Sequence, residues 1–208
     1  LGGARDAWLA TGLLLVLPGW YGAGRVFELA ELFLSARLPA QGLSLLAIVA
    51  AVRGVRWLAI VLLVAAFVIH PLMALPVIIT LGVLILVKHD SWKTVLLVSL
   101  ALSAACVVAG AVLGGSQPLM TGDWLAAVRS RSNYLFVDNW TVDDWQNAGL
   151  VLLTAAFATR FPVGDWARRI SVAAVCTAVA GLLATASVSL VVPLRIVIQG
   201  QPWRWIWI

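Results

Sequence analysis

The chain is built from long apolar runs separated by short polar segments. The run of 31 residues from Trp57 to Val87 has no charged residue, and its one titratable group is His70, which Pro71 follows directly. A single membrane span needs about 20 apolar residues, so this run is too long for one crossing. Polar groups are costly in hydrocarbon, which favours a position for the imidazole near water or in a cavity. We therefore predict two short helices that meet at His70, at one face of a bilayer.

The other apolar runs predict further crossings and one helix on the membrane surface. The predicted spans cover residues 7–20, 39–52, 57–69, 72–87, 94–113, 148–160 and 170–192, with the start of another near 203–208. In Gly24–Arg37, apolar residues recur at helical spacing and charged residues take the opposite side, which is typical of an amphipathic helix. Residues 114–147, rich in Trp and Asp, are predicted to form an outer loop.

These elements predict an all-α fold: a polytopic bundle of transmembrane helices with short broken helices and an outer-face amphipathic helix. We expect a single transmembrane domain over residues 1–208. Because the chain starts at Leu1 rather than Met and ends at Ile208 within an apolar run, we also expect it to be a fragment of a longer protein.

Composition supports a membrane protein and argues against a nucleic-acid-binding one. Hydrophobic residues make up 62% of the chain and charged residues 11%, whereas a soluble domain has about 25% charged residues. The basic residues are scattered between the apolar runs, which is typical of topology control rather than of a nucleic-acid surface. Cys106 and Cys176 lie inside apolar runs, so we predict buried free thiols.

The positive-inside rule predicts the orientation. One side then carries eight basic and three acidic residues and is assigned to the cytoplasm, whereas the other carries six of each. The basic residues of the cytoplasmic side are Arg5, Arg53, Arg56, Lys88, Lys93, Arg160, Arg168 and Arg169. This assignment requires the run from Trp57 to Val87 to cross twice, and it puts every candidate site on the outer face.

His70 is the first candidate for chemistry. An imidazole at a helix break could contact an anionic head group or transfer a proton. The alternative is structural: the histidine ends one helix, and Pro71 begins the next.

The segment from Arg195 to Trp207 is the second candidate. Arginine can hold a phosphate with two hydrogen bonds, and tryptophan can stack on a sugar or anchor a helix at the interface. Snorkelling side chains at the interface are the alternative, although they account less well for the two glutamines. The candidate ligand contacts of the whole chain are His70, Arg37, Arg195, Gln199, Gln201 and Arg204.

The paired acids Asp143 and Asp144 are the third candidate. Carboxylates can bind a divalent metal or act as a base. The spacing from Thr141 to Asp144 also fits a helix cap with acids in the first turn, and we favour this interpretation. The sequence predicts no cofactor and no metal ligand, with a divalent metal at these acids left as an alternative.

The arrangement resembles the GT-C-type integral-membrane glycosyltransferases and the related bacterial polysaccharide polymerase-like membrane proteins. The resemblance rests on the segment Gly24–Arg37, the broken helices around His70-Pro71-Leu72-Met73, and Gln201-Pro202-Trp203-Arg204-Trp205. It implies transfer of sugar from a polyprenyl-phosphate donor at the outer face of a bacterial inner membrane. The family's catalytic acid has no match here and is expected upstream of Leu1, so no catalytic residue is assigned.

The sequence thus favours a protein that handles a lipid-linked saccharide in polysaccharide biosynthesis. Its expected partners are membrane lipid and a polyprenyl-phosphate-linked sugar. A transporter or flippase, and a non-catalytic membrane assembly subunit, are the alternatives.

Overall fold

The computed structural model describes residues 20–21, 24, 27–28, 35–86, 91–160 and 165–208, and its fold is all-α. A two-residue antiparallel pairing joins β1 (Trp20–Tyr21) to β2 (Phe27–Glu28). The α-helices are α1 (Arg37–Val52), α2 (Arg56–Ile69), α3 (Pro71–Leu86), α4 (Trp92–Leu113), α5 (Gly122–Arg131), α6 (Val142–Ala158), α7 (Asp165–Leu190) and α8 (Arg195–Gly200). In the described part of the chain, 3-10 helices cover Asn133–Leu135, Val137–Asn139 and Pro202–Trp207.

The helix break predicted at His70 is confirmed. The backbone N–H of His70 donates to the carbonyl of Ala66 as the last bond of α2, and the His70 carbonyl accepts from Met73 and Ala74 as the first bonds of α3. Pro71 is the first residue of α3, a position where the missing N–H of proline leaves no bond unmade. One extended residue, His70, therefore separates the two helices.

Helix α7 is the centre of the fold, since it packs against α3, α4, α6 and the 3-10 helix Pro202–Trp207. Its buried face consists largely of small residues, which let neighbouring helices approach closely. They are Ala173, Ala174, Ala178, Ala180, Gly181 and Ala184.

Hydrogen bonds between the helices define their directions. The hydroxyls of Thr80 and Thr177 are bonded at 3.0 Å, and Arg169 Nη2 donates to the Leu84 carbonyl. Helix α3 is therefore antiparallel to α7, and Pro71 lies towards the end of α7 that finishes at Leu190. We call this the loop end, because the segments 114–141 and 191–201 meet there through the bridge between Leu119 and Leu194.

The chain turns back into the bundle after α7, where the sequence predicted a new span near 203–208. Pro202 packs against Gly181, and Trp203 and Ile206 share a core cluster with Ala178. Gly181 and Ala178 are 9 and 12 residues before the end of α7, which places the contacts about 13–18 Å below that end. The segment Pro202–Trp207, which we call the re-entrant helix, is thus buried against α7.

Two further predictions need correction. Phe27–Glu28, in the segment predicted as an amphipathic helix, is a strand, because Gly24 has a φ of 67° that breaks helical geometry; residues 25–26 and 29–34 of that segment lie outside the described residues. The predicted outer loop 114–147 contains α5, both short 3-10 helices and the first turns of α6, whose start at Val142 agrees with the predicted cap at Thr141. Helix α5 has no apolar stripe, so the pattern of apolar residues in the sequence does not predict this helix.

Two of the described helices, Trp92–Leu113 and Asp165–Leu190, are long and apolar enough to cross a membrane. Three shorter helices, Arg37–Val52, Arg56–Ile69 and Pro71–Leu86, are also apolar. The predicted spans at 39–52, 57–69, 72–87, 94–113, 148–160 and 170–192 each overlap a helix, whereas 7–19 lies outside the described residues.

Candidate functional site

The re-entrant helix and the Trp- and Asp-rich segment form one aromatic cluster, although about 60 residues separate them in sequence. Trp203 is fully buried, and its ring lies edge-on to Tyr134 at 6.2 Å and to Trp140 at 6.0 Å between centroids. Trp140 contacts Trp145 at 4.9 Å and donates its indole N–H to the Tyr134 carbonyl. Such edge-on pairs add to the stabilisation from buried area, so this cluster holds the re-entrant helix in place.

Asp144 fixes the start of α6 beside the cluster. Its carboxylate accepts hydrogen bonds from the N–H and hydroxyl of Thr141, and the Thr141 oxygen accepts from the Asp144 N–H, which completes a capping box. The predicted helix cap is therefore confirmed. Asp144 also accepts the N–H of Gly24 at 2.9 Å, which anchors the turn between β1 and β2 above α6.

A second polar contact fastens the loop end to α7. Arg129 of α5 pairs with Asp138, donates to the Ser189 carbonyl, and lies 4.3 Å from the centroid of the Phe136 ring. The hydroxyl of Ser189 in turn accepts the N–H of Val137. Sequence analysis did not single out Arg129, because neither Arg129 nor its neighbour Arg131 has a spacing typical of a site.

Arg204 is 6% exposed and belongs to the re-entrant helix, with its guanidinium 5.9 Å from the centroid of the Trp203 ring. Gln201, directly before this helix, adopts a left-handed conformation with φ of 48°. Its side-chain oxygen is buried and has no hydrogen-bond partner within the described part of the chain. The same holds for the indole N–H groups of Trp205 and Trp207. This segment thus combines a buried cation with uncommitted polar atoms.

Arg195 and Gln199 lie on α8, nearer the surface. Arg195 is half-buried, with its Nη2 3.4 Å from the Gly114 carbonyl and its guanidinium 5.9 Å from the Trp124 ring centroid. Gln199 is exposed. The structure therefore places Arg195, Gln199, Gln201 and Arg204 within one stretch that descends from the loop end into the bundle.

The two remaining candidates lie on other elements. His70 is half-buried between α2 and α3, towards the loop end, and α3 contacts the re-entrant helix. Arg37 is half-buried at the first residue of α1, a helix that packs against α2 and α3. Arg37 and Arg204 therefore lie on different elements.

Among the described residues, no three His, Cys, Asp or Glu side chains gather as a metal site would require. Asp144 is engaged as a cap, and Asp138 is engaged by Arg129. The guanidinium, amide and indole groups at this end suit the binding of an anion with attached polar groups.

Comparison of the chain with protein-family models, curated proteins and solved structures finds no match in any of the three.

Proposed function

We propose that the chain is part of a multi-pass protein of a bacterial inner membrane that binds a lipid-linked saccharide, with the phosphate of a polyprenyl-phosphate group held at the loop end. The proposal agrees with the resemblance to GT-C-type glycosyltransferases stated above. It covers binding of the lipid-linked substrate and assigns no catalytic residue.

The distribution of apolar surface supports a membrane location. In α4, only 17% of the apolar window is buried, so most of this helix presents apolar side chains outward. Trp57, Val64 and Val68 of α2, and Leu153 and Phe157 of α6, are likewise exposed. Extensive apolar surface of this kind marks an interface with lipid or with another protein.

The observation that carries the proposal is Arg204 in the re-entrant helix. Arg204 is 6% exposed, and ionisable residues at membrane depth usually serve function. The left-handed Gln201 beside it adds backbone strain, which accumulates at ligand-binding segments.

Arg195, Gln199 and Trp124 supply the outer part of the proposed site. Arginine and glutamine suit phosphate and sugar hydroxyls, and an exposed indole suits the face of a sugar ring. The proposal is that the head group first meets this accessible rim and that its phosphate then reaches Arg204.

Substitution of Arg204 by lysine tests the proposal. Lysine keeps the charge but loses the two-pronged geometry, so we expect polyprenyl-phosphate binding to weaken by about 1–3 kcal/mol, the scale of a charged hydrogen bond. Binding is measured in nanodiscs with the full chain, and Arg131→Lys serves as a matched control at an exposed arginine of α5. Unchanged affinity in Arg204→Lys, with unchanged thermal stability, would contradict the proposal.

A transporter or flippase is the second candidate. It is favoured by the combination of a helix break at His70 and a re-entrant segment, because broken helices often mark binding sites within transporters. Reconstitution in proteoliposomes separates the two functions: a flippase moves a fluorescent polyprenyl-phosphate lipid between leaflets, whereas a protein that only binds the lipid does not.

A further inference from the structure

A separate cleft of about 590 Å³ lies at the opposite end of the bundle from the aromatic cluster. It is formed where the start of α4, the end of α6 and the start of α7 meet, and α7 alone separates the two ends by about 37 Å. Its residues are Ser91, Trp92, Val95, Ala156, Thr159, Arg160, Arg168, Val172 and Val175. The volume lies within the range of small-molecule sites.

The lining of this cleft is divided between charge and apolar surface. Arg160 and Arg168 are exposed and supply two guanidinium groups. Ser91 and Thr159 also line the cleft, with the Ser91 hydroxyl bonded to Thr94 and the Thr159 hydroxyl donating to the Ala156 carbonyl. The remaining wall is formed by Trp92 and by valine and alanine side chains from all three helices. A ligand for this cleft therefore needs an anionic, hydrogen-bonding head and an apolar body.

The surroundings strengthen the positive charge and connect the apolar wall to the outer surface. Lys93 and Arg169 lie on the first turns of α4 and α7, and Asp165 is the one acid of the described residues there. The guanidinium of Arg169 is directed to the Leu84 carbonyl and the Trp166 ring. Arg160 and Arg168 are the basic residues that line the cleft itself. Leu96, Leu97 and Phe157, next to the lining residues in sequence, are exposed.

We propose that this cleft binds an anionic phospholipid, with the phosphate held by Arg160 and Arg168 and an acyl chain against Val95, Ala156 and Val172. Basic pockets between transmembrane helices on the cytoplasmic side are suited to anionic head groups. Exposed Trp92 would lie at the level of the head groups, where tryptophan is enriched. The proposal rests on the membrane location proposed above, and it is independent of the lipid-linked saccharide.

The test measures lipid binding to the purified full chain by native mass spectrometry in detergent. Phosphatidylglycerol is titrated against phosphatidylcholine with the same acyl chains. We expect the double variant Arg160→Gln/Arg168→Gln to bind phosphatidylglycerol at least tenfold more weakly while phosphatidylcholine binding is unchanged. Lys93→Gln, which removes a neighbouring charge outside the cleft, should stay within twofold of the wild-type chain.

Two further arms test the apolar part of the site and the source of the phosphate. Ala156→Phe fills the apolar wall and should weaken phosphatidylglycerol binding with both arginines intact. Inorganic phosphate at millimolar concentration should leave the lipid bound; its displacement of the lipid would overturn the proposal in favour of a site for a soluble anion. Equal phosphatidylglycerol binding by the wild-type chain and the double glutamine variant would also overturn it.

These assays test the two proposed sites independently. The double glutamine variant should retain polyprenyl-phosphate binding, and Arg204→Lys should retain phosphatidylglycerol binding. Loss of both ligands in either variant would indicate a general effect on the fold and contradict two distinct sites.

Discussion

Gly181 determines how closely the re-entrant helix packs on α7. A Cβ atom on Gly181 would overlap the carbonyl oxygen of Pro202 and crowd the Cβ of Trp205. The obstacle is backbone rather than the end of a flexible side chain, so it cannot move aside without shifting the whole segment. Glycine is needed here for space, because α7 is a regular helix at this point.

We therefore predict opposite effects for two glycine-to-alanine substitutions in helices. Gly181→Ala should destabilise the protein by about 1–3 kcal/mol, the usual cost of overpacking. Gly149→Ala in α6, where an added Cβ meets nothing within 4 Å, should be neutral or stabilise by up to about 1 kcal/mol through helix propensity. Thermal unfolding in detergent compares them, and equal melting temperatures would contradict the close packing described here.

Asp144 and Asp143 are adjacent acids in the same helix turn with different surroundings. Asp144 is buried and accepts backbone N–H bonds from Thr141 and Gly24, whereas Asp143 is exposed. Asp144→Ala should cost about 1–2 kcal/mol, because it removes the acceptor of the capping box and of the Gly24 N–H. Asp143→Ala should cost about 0.5 kcal/mol, the scale of an acid at a helix N-terminus. The difference is measured as the shift in unfolding temperature, and a larger loss for Asp143→Ala would reverse the assignment.

At the scale of elements, the local signals in the sequence were sufficient wherever a single residue type dictates backbone geometry. Pro71 after His70 located the break between α2 and α3, and Thr141 with Asp144 located the start of α6. The re-entrant helix could not be predicted in this way. An apolar, aromatic run looks the same whether it crosses a membrane or folds back, and its direction depends on the distant contact between Pro202 and Gly181.

The sequence predicts which residue types form the candidate site, but it does not predict that part of the site is buried within the helix bundle. The sequence identified the basic and polar residues of the stretch Arg195–Arg204, but long-range packing against Tyr134 and Trp140 is what buries Trp203. The close approach at Gly181 and the contact of Gly24 with Asp144 also join residues far apart in the chain. No spacing rule within one element reports such pairs.

The turn at Gln201 is the element whose strain can be tested directly. A left-handed conformation costs an L-residue about 1–2 kcal/mol, and glycine adopts it freely. Gln201→Gly should thus be neutral or stabilise the protein by up to about 1 kcal/mol, whereas Gln201→Val should destabilise it. Gln199→Gly in α8 is the control, and its expected loss is about 1 kcal/mol. If the amide of Gln201 also binds ligand, Gln201→Gly will lower polyprenyl-phosphate affinity while it leaves stability intact.

For the whole molecule, the two ends of the bundle differ in chemistry. The loop end carries the aromatic cluster and the descending stretch from Arg195 to Arg204, whereas the other end carries the cleft with Arg160 and Arg168. In chain order, α3, α4, α6 and α7 alternate in direction, so each segment that connects two of them lies at one end of the bundle. If the protein spans a membrane, each of its two faces would therefore carry a different binding site for a different ligand.

Cysteine labelling in intact cells tests this arrangement. In a background with Cys106 and Cys176 replaced by serine, we expect Gln117→Cys and Gln199→Cys to react with an impermeant maleimide from outside. Both positions are exposed at the loop end, whereas Arg56→Cys and Arg160→Cys should react only after the membrane is permeabilised. The positive-inside rule motivates this sidedness, because Arg53, Arg56, Arg160 and Arg168 then face the cytoplasm. His70→Cys is the decisive variant. Labelling from the outer side agrees with two helices that meet at this residue. Labelling from the cytoplasmic side alone would contradict both the crossing of the membrane by α2 and the outward position of the proposed saccharide site.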